Sequence, residues 1–244
     1  MADRIVLEIT GPDRVDFLQG LITNDMKKAD NAILYAALLT PQGKYVADFF
    51  VIGRDDRHLI DVATAVAQPL MQRLTMYRLR SDVTITPTDL VASRGTGPAP
   101  EGALPDPRHP ALGWRHYSDK NVSDSTDWDA LRVEHLIPEA ARELTPETYV
   151  LEAGFERLNG VDFRKGCFVG QEIVARMKHK TTLRKGLARV RIEGTAAPGD
   201  EITSDGKPVG ELHTISGHHG IAYLRFDRAE GEMQAGAARL TRLR

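Results

Sequence analysis

The chain has 244 residues, of which 41% are hydrophobic and 27% are charged, so it can bury a sizeable core in one or two compact units. Its net charge of −2 argues against a general nucleic-acid-binding protein. The longest uninterrupted apolar run has eight residues, whereas a membrane-spanning helix needs roughly 20, so a membrane protein is not expected. The first residues have no signal-peptide or transit-peptide character, and we therefore expect a cytoplasmic location.

The first half of the chain predicts a body of mixed strands and helices. Residues 93–113 contain five prolines and four glycines, and we expect a surface excursion there. Apolar runs and turn residues predict strands at residues 4–9, 33–39, 45–52, 58–62, 83–85 and 90–92, with helices at about residues 13–20 and 65–79.

The second half predicts helices first and then only strands. Two short helices are expected at residues 127–136 and 139–144, and a helix at 171–180. From Lys185 onward, short alternating runs between turn residues predict a small antiparallel barrel or sandwich of about 60 residues. The predicted fold class is therefore α+β, with a body over residues 1–184 and a β-barrel domain over residues 185–244.

Cys167 is the only cysteine, so an intramolecular disulfide is excluded, and one chain alone cannot supply a four-thiolate cluster site. No spaced Cys/His set predicts a metal site. Two glycines, Gly166 and Gly170, bracket the cysteine, and a predicted helix follows. The helix N-terminus and the neighbouring Arg164 and Lys165 would favour a thiolate. The alternative is a small buried hydrophobic side chain.

Residues 164–191 contain nine lysines and arginines against one acidic residue, Glu172. Because the whole chain is close to neutral, this segment is a local concentration of positive charge. It predicts either a solvated basic face or a local site for an anion.

The residues from Lys165 to Glu172 (KGCFVGQE) closely resemble the K-G-C-[FY]-x-G-Q-E signature of YgfZ-type folate-binding proteins. Other segments resemble the same family in the same order along nearly the whole chain. These are Phe17–Gly20 with Thr23–Asp25, Leu39–Asp48, Asp106–Arg108 with Leu112–Gly113, and Leu151–Ala153 with Asn159–Val161.

The resemblance implies the fold of the glycine-cleavage aminomethyltransferases, with a tetrahydrofolate cavity in an α+β body and a C-terminal barrel. Glu152 resembles the carboxylate that holds the pterin, because a carboxylate can accept two adjacent N–H donors. A surface acid is the alternative for Glu152. The other folate-binding positions that the resemblance implies are Lys165, Gly166, Gly170, Gln171, Glu172 and Arg176; Arg176 belongs to the basic run that could hold a polyglutamate tail, together with Lys178 and Arg184.

Cys167 and Asp48 are the candidates for chemistry. Asp48 follows the predicted turn at residues 41–43, where the transferases carry an acid, but Ala47 stands where their paired pattern would place a second one. The resemblance therefore implies a tetrahydrofolate-binding accessory factor that serves iron–sulfur client or assembly proteins, including enzymes that modify tRNA. The alternative is a folate-dependent aminomethyltransferase. An RNA-contacting module built on the basic run is a weaker third interpretation, and direct nucleic-acid binding is not expected.

Overall fold

The computed structural model describes residues 4–30 and 32–243. The chain forms two compact units, the first built from Met1–Thr126 and Phe155–Ala175 and the second from Asp127–Gly154 and Arg176–Arg244. The two units alternate along the chain, whereas the sequence predicts one division after residue 184; that domain boundary stays a prediction.

The helices and strands are numbered here in chain order. The helices are α1 (Arg14–Gln19), α2 (Thr64–Tyr77), α3 (Trp128–His135) and α4 (Gln171–Lys180). The strands are β1 (Arg4–Thr10), β2 (Ile33–Leu39), β3 (Tyr45–Gly53), β4 (His58–Ala63), β5 (Thr84–Pro87), β6 (Val91–Gly95), β7 (Leu104–Pro105), β8 (Trp114–Ser118), β9 (Lys185–Glu193), β10 (Glu201–Ser204), β11 (Lys207–Ser216), β12 (His219–Arg225), β13 (Glu232–Ala235) and β14 (Ala238–Arg242).

The first unit is organised by a five-stranded antiparallel sheet in the order β2-β3-β4-β1-β5. One face carries the hydrophobic core, in which Ala47 and Phe49 of β3 pack with Leu18 of α1 and Leu70 of α2. Every residue of β2 is buried, so both faces of this strand are covered. This explains why β2 is a continuous apolar run and not an alternating one.

The second face of this sheet is polar and aromatic, although it is also buried. Asp61 of β4 is inaccessible to solvent, and it binds the guanidinium groups of Arg4 and Arg115 and the hydroxyl group of Tyr117. The Arg115 guanidinium also lies 3.6 Å from the centre of the Phe50 ring. Burial alone would raise the pKa of Asp61, but the two arginines outweigh it and lower that pKa.

A three-stranded sheet, β6-β8-β7, supplies the other half of this charge network. Asp106 accepts two hydrogen bonds from the guanidinium of Arg108, of 3.0 and 2.8 Å, and one of 2.9 Å from Arg115. Asp106 and Arg108 are each 5% exposed. The expected surface excursion at residues 93–113 is therefore wrong for this part of it, because paired charges are buried here in place of apolar side chains.

The second predicted helix of the second half is also absent. Residues 139–144 form turns, in which Ala141 has a left-handed φ of 59°. The buried carboxylate of Glu143 accepts from the backbone N–H of Glu139 and from the guanidinium of Arg132. These bonds satisfy local polar groups in a way that a regular helix would not.

The second unit contains a closed antiparallel barrel in the strand order β10-β11-β12-β9-β14-β13, with β13 paired back to β10. Alternating residues such as Val190, Leu212, Leu224 and Leu240 fill its interior. The predicted C-terminal barrel is confirmed. Its shortest strands, β10 and β13, have four residues each and were not predicted from the sequence.

Replacing Asp106 by asparagine tests the buried charge network. The variant leaves the guanidinium groups of Arg108 and Arg115 without their shared counter-charge, which should cost about 3–5 kcal/mol of unfolding free energy. Urea unfolding followed by tryptophan fluorescence measures this loss. Asp119→Asn is the matched control, because Asp119 is exposed and its loss should change stability by less than about 0.5 kcal/mol.

The native chain and Asp106→Asn also test the pH dependence of the unfolding free energy. Burial would raise the pKa of Asp106, but Arg108 and Arg115 hold it well below its usual value. The carboxylate therefore stabilises the fold fully above about pH 4, and this contribution is lost as the pH falls through the lowered pKa. The stability difference between the native chain and Asp106→Asn should stay constant from about pH 7 to pH 4; a difference that disappears above pH 5 would contradict the pairing.

Candidate functional site

Residues 19–25, which belong to the first of the segments that resemble the YgfZ type, form a corner that begins at the last residue of α1. Thr23 is fully buried, and its hydroxyl donates to the carbonyl oxygen of Gly160 over 2.6 Å and accepts from the N–H of Ala37 over 2.8 Å. A Cβ at Gly160 would lie 2.7 Å from the ring of Phe155, so only glycine fits there. One hydroxyl therefore connects β2 to Gly160, which lies 137 residues after Thr23 in the chain.

Asn24 strengthens the same connection. Its side-chain amide donates to the carbonyl oxygens of Tyr35 and Asn159, over 2.8 and 2.7 Å. The N–H of Asp162 donates to the carbonyl oxygen of Thr23 over 2.9 Å. Residues 159–162 are thus fixed along the corner, immediately before the cysteine signature.

The signature loop, residues 164–170, begins with the exposed Arg164 and the half-buried Lys165. The ammonium group of Lys165 donates to the carbonyl oxygens of Gln19 and Ile22, over 2.5 and 2.6 Å. Burial lowers the pKa of Lys165 to about 8, an effect that nearby carboxylates only partly offset. These contacts anchor the loop, and a direct folate contact by Lys165 remains a prediction.

Cys167 is a free, exposed thiol in the middle of this loop. Gly166 before it has a φ of +94°, which lies in the left-handed region that glycine adopts readily. Phe168 after it is 8% exposed and packs against the protein. The alternative in which Cys167 is a buried packing residue is therefore excluded, and the proposed thiolate character stays a prediction.

The end of the signature fastens the loop to the sheet. Gly170 has a φ of +83°, and a Cβ there would lie 2.7 Å from the carbonyl oxygen of Thr40. The N–H of Gln171 donates to the carbonyl oxygen of Phe168 over 3.1 Å. Glu172 is exposed in the first turn of α4, where a carboxylate interacts favourably with the helix dipole.

Asp48 lies on β3, within the second face of the sheet, and is 5% exposed. Its two carboxylate oxygens accept hydrogen bonds from the hydroxyl groups of Tyr45 and Tyr35, over 2.6 and 3.0 Å. Burial, and then the charge of Asp48, raise the pKa values of both tyrosines, so both hydroxyls stay protonated and donate. The ring of Tyr35 stacks on that of Phe155 with centroids 5.1 Å apart.

Ala47 points to the opposite face of β3, where it packs in the hydrophobic core. A carboxylate at residue 47 would therefore be buried among apolar side chains and would not pair with Asp48. The predicted importance of the missing second acid is weakened by this geometry.

Glu152 belongs to the second unit and is half-buried. Its Oε2 atom accepts a 2.7 Å hydrogen bond from the hydroxyl of Tyr223, and its carbonyl oxygen accepts from the N–H of Leu187. Burial and the neighbouring carboxylate both raise the pKa of Tyr223. A carboxylate has about four acceptor positions, so one tyrosine leaves capacity for the paired N–H donors of a pterin. This capacity is compatible with the predicted pterin contact, which stays a prediction.

The predicted site residues are divided between the two units. Asp48 and the signature loop belong to the first unit, whereas Glu152 and Arg176 belong to the second. Arg176 is exposed on α4. Among the predicted positions, the first unit brings Lys165, Gly166, Cys167 and Gly170 into one loop.

The tyrosines that bind the carboxylates of Asp48 and Glu152 were not predicted from the sequence. Tyr35 and Tyr45 lie on neighbouring paired strands, so the predicted β2–β3 hairpin was a usable signal for their proximity to Asp48. Tyr223 offered no such signal, because its partner Glu152 lies 71 residues away.

Within residues 4–30 and 32–243, no group of three or more histidine, cysteine, aspartate or glutamate side chains is arranged to hold a metal ion. In the same part of the chain, no helix has both the length and the apolar character required to span a membrane.

Two domain families match this chain. The GCVT N-terminal domain matches residues 5–95, and the CAF17 C-terminal beta-barrel domain matches residues 184–244. The chain thus has a GcvT-like body, and its last part resembles the CAF17 barrel. This confirms the predicted fold class, a GcvT-like body followed by an antiparallel barrel.

Relatives of known role align with almost the whole chain. The iron–sulfur cluster assembly factor IBA57 of Mus musculus is 28% identical, with 94% of this chain and 78% of the relative aligned. The human protein of the same name is 28% identical, with shares of 96% and 79%. The Neurospora crassa homolog is 32% identical, with shares of 88% and 57%.

A solved structure shows the same fold. The glycine cleavage system aminomethyltransferase T from Bartonella henselae superposes with a TM-score of 0.79 at 13% sequence identity, covering 100% of this chain and 83% of the other. At this identity the likeness establishes the fold and not the activity.

The comparisons correct one expectation and leave another open. The predicted cytoplasmic location is wrong: these relatives are mitochondrial proteins, which points to mitochondria and not to the cytoplasm. The GCVT and CAF17 domain matches support the wider folate-binding family, whereas assignment to the YgfZ type itself stays a prediction.

Replacing Thr23 by valine tests the corner. The variant keeps the shape of the side chain but leaves the carbonyl of Gly160 and the N–H of Ala37 without their shared partner. Each unsatisfied buried group costs about 1–3 kcal/mol, so we expect a loss of at least about 2 kcal/mol in urea unfolding. Thr75→Val, at an exposed position of α2, is the control, and an equal effect of the two changes would contradict the role given to Thr23.

Proposed function

We propose that this chain is an iron–sulfur cluster assembly factor in which Cys167 supplies the reactive thiolate. The observation that carries the proposal is that the only thiol of the chain is exposed on a loop anchored on both sides. The IBA57 relatives, which carry this role in their names, support it over 94–96% of the chain.

The chemistry of a single thiol sets the mode of action. Iron–sulfur clusters are usually held by four thiolates, so one chain can provide at most one of them and the partner must provide the others. Cys167 acts either as a transient cluster ligand or in thiol–disulfide exchange with the partner, and an exposed position serves both. The partners are therefore iron–sulfur client or assembly proteins, and we extend the clients to enzymes that modify tRNA.

We propose tetrahydrofolate as the bound cofactor. The GCVT-type domain and the acceptor capacity of Glu152 support it. In this proposal Glu152 accepts the pterin N–H donors, and exposed cations such as Arg176 and Arg184 attract the carboxylates of a polyglutamate tail. The folate supplies a rigid ligand that stabilises the folded state.

The hydrogen bonds of Asp48 favour a binding factor over an aminomethyltransferase. Both of its oxygens already accept tyrosine hydroxyls inside a buried face, so the carboxylate is held in place by the protein. The fold likeness to an aminomethyltransferase is the observation that favours the alternative. Formation of methylenetetrahydrofolate over many turnovers, from a lipoyl-carrier donor, would establish that alternative.

Complementation in cells tests the thiol. Cells that lack IBA57 would receive this chain with a mitochondrial leader. The activities of their iron–sulfur enzymes would be measured in cell extracts and compared with those of the same cells without the chain. The native chain should restore these activities, and Cys167→Ser should reduce them at least ten-fold at equal protein level. Full activity of the serine variant would remove Cys167 from the mechanism.

A thermal shift tests the folate. Tetrahydrofolate at about 100 times its Kd should stabilise the chain by roughly 2.7 kcal/mol, because it binds only the folded state. Glu152→Gln keeps an acceptor for Tyr223 but loses the carboxylate, so most of the shift should disappear. Glu230→Gln, at an exposed position of the same unit, should keep the shift. An equal shift in Glu152→Gln would exclude Glu152 from the site.

A further inference from the structure

Gln19 and Lys165 hold each other through hydrogen bonds in both directions. The Lys165 ammonium donates to the carbonyl oxygen of Gln19, and the Gln19 amide donates back to the carbonyl oxygen of Lys165 over 3.3 Å. The two residues are 146 positions apart in the chain. The contact therefore joins the end of α1 to the first residues of the signature loop.

The orientation of the Gln19 amide follows from its other partners. Its oxygen accepts from the N–H of Met26 over 2.8 Å, and its nitrogen donates to the carboxylate of Asp25 over 3.1 Å. Exchanging the two amide atoms would place a donor against an N–H and an acceptor against a carboxylate. The nitrogen must therefore face Lys165.

The charge of Lys165 is directed at the backbone of the corner. Two of its three N–H donors point to carbonyl oxygens, and the ammonium lies 5.0 Å from the centre of the Phe168 ring. Lys165 and Phe168 flank Gly166 and Cys167. The Cβ position of Gly166 has no atom within 4 Å apart from its chain neighbours, and Gly166 and Cys167 are both exposed between these two anchors.

We propose that Gln19 and Lys165 are positioning residues, whose reciprocal hydrogen bonds fix the start of the signature loop so that the Cys167 thiol meets an iron–sulfur partner in one orientation. The inference rests on the proposed role of Cys167. Neither residue touches a cluster; each acts through the backbone of the loop. Lys165 was expected at the folate site, and this inference assigns it a different role.

Five variants, Arg164→Met among them, separate positioning from charge and from general stability. Lys165→Met keeps the aliphatic stem and removes the ammonium, and Gln19→Met removes the amide at nearly equal size. Lys165→Arg keeps a cation with several donors and serves as the conservative rescue. Lys27→Met removes an exposed cation from the neighbouring turn and is the control.

Two measurements are made on each variant after thermal unfolding has shown that it is folded. The first is amide hydrogen exchange of residues 164–170. The second is restoration of iron–sulfur enzyme activity in cells that lack IBA57. Lys165→Met and Gln19→Met should exchange at least ten-fold faster in this loop and lose at least ten-fold in restored activity. Lys165→Arg should recover part of both, and Lys27→Met should match the native chain.

The outcomes are distinguishable. Fast exchange in Lys165→Met with native activity would overturn the inference, because a mobile loop would then serve equally well. An equal loss in Arg164→Met, which removes an exposed neighbouring charge and no contact to the corner, would also overturn it in favour of charge alone. If Lys165→Met does not fold, Gln19→Met and Lys165→Arg decide the question. Failure of the proposed function appears separately, as full activity of Cys167→Ser.

Discussion

The hydroxyl group of Thr23 connects two parts of the first unit that are far apart in the chain, β2 and Gly160. It satisfies a buried N–H of β2 and a buried carbonyl of Gly160, and the unit needs both because unpaired polar groups inside a protein are costly. Asn24 repeats this pattern with Asn159. The position of the signature loop, and hence of Cys167, follows from these bonds, since residues 159–162 lead straight into it.

A second constraint acts on the polar and aromatic face of the sheet. Asp61 and Asp106 are buried only because three guanidinium groups surround them, and the aromatic ring of Phe50 lies against the arginines. The network joins the five-stranded sheet to the β6-β8-β7 sheet within the first unit. Asp48 and its two tyrosines continue the same buried polar layer. Both carboxylate oxygens of Asp48 are thus occupied by internal hydrogen bonds.

Local signals in the sequence predicted most helices and strands, but they did not predict which polar side chains are buried. The apolar run of β2 and the Pro41–Gly43 turn predicted a hairpin that the structure contains, and α4 spans its predicted residues. The burial of Asp106 and Arg108 could not be predicted, because each is polar alone and only their pairing permits it. Turns replaced the helix at residues 139–144 for a similar reason: Glu143 is bound by Arg132, eleven residues away. The signature located the cysteine loop, whereas the contacts of Lys165 depended on tertiary structure.

The first unit is completed by a stretch that follows residues of the second unit along the chain. On the ribosome, Thr23 and Asn24 therefore emerge more than a hundred residues before their partners in the 159–162 segment. At a synthesis rate of about 5–20 residues per second, the nascent sheet waits for roughly 7–27 s without these protein partners. That interval is a defined window for chaperone binding, and truncation before residue 160 should trap the chain in it.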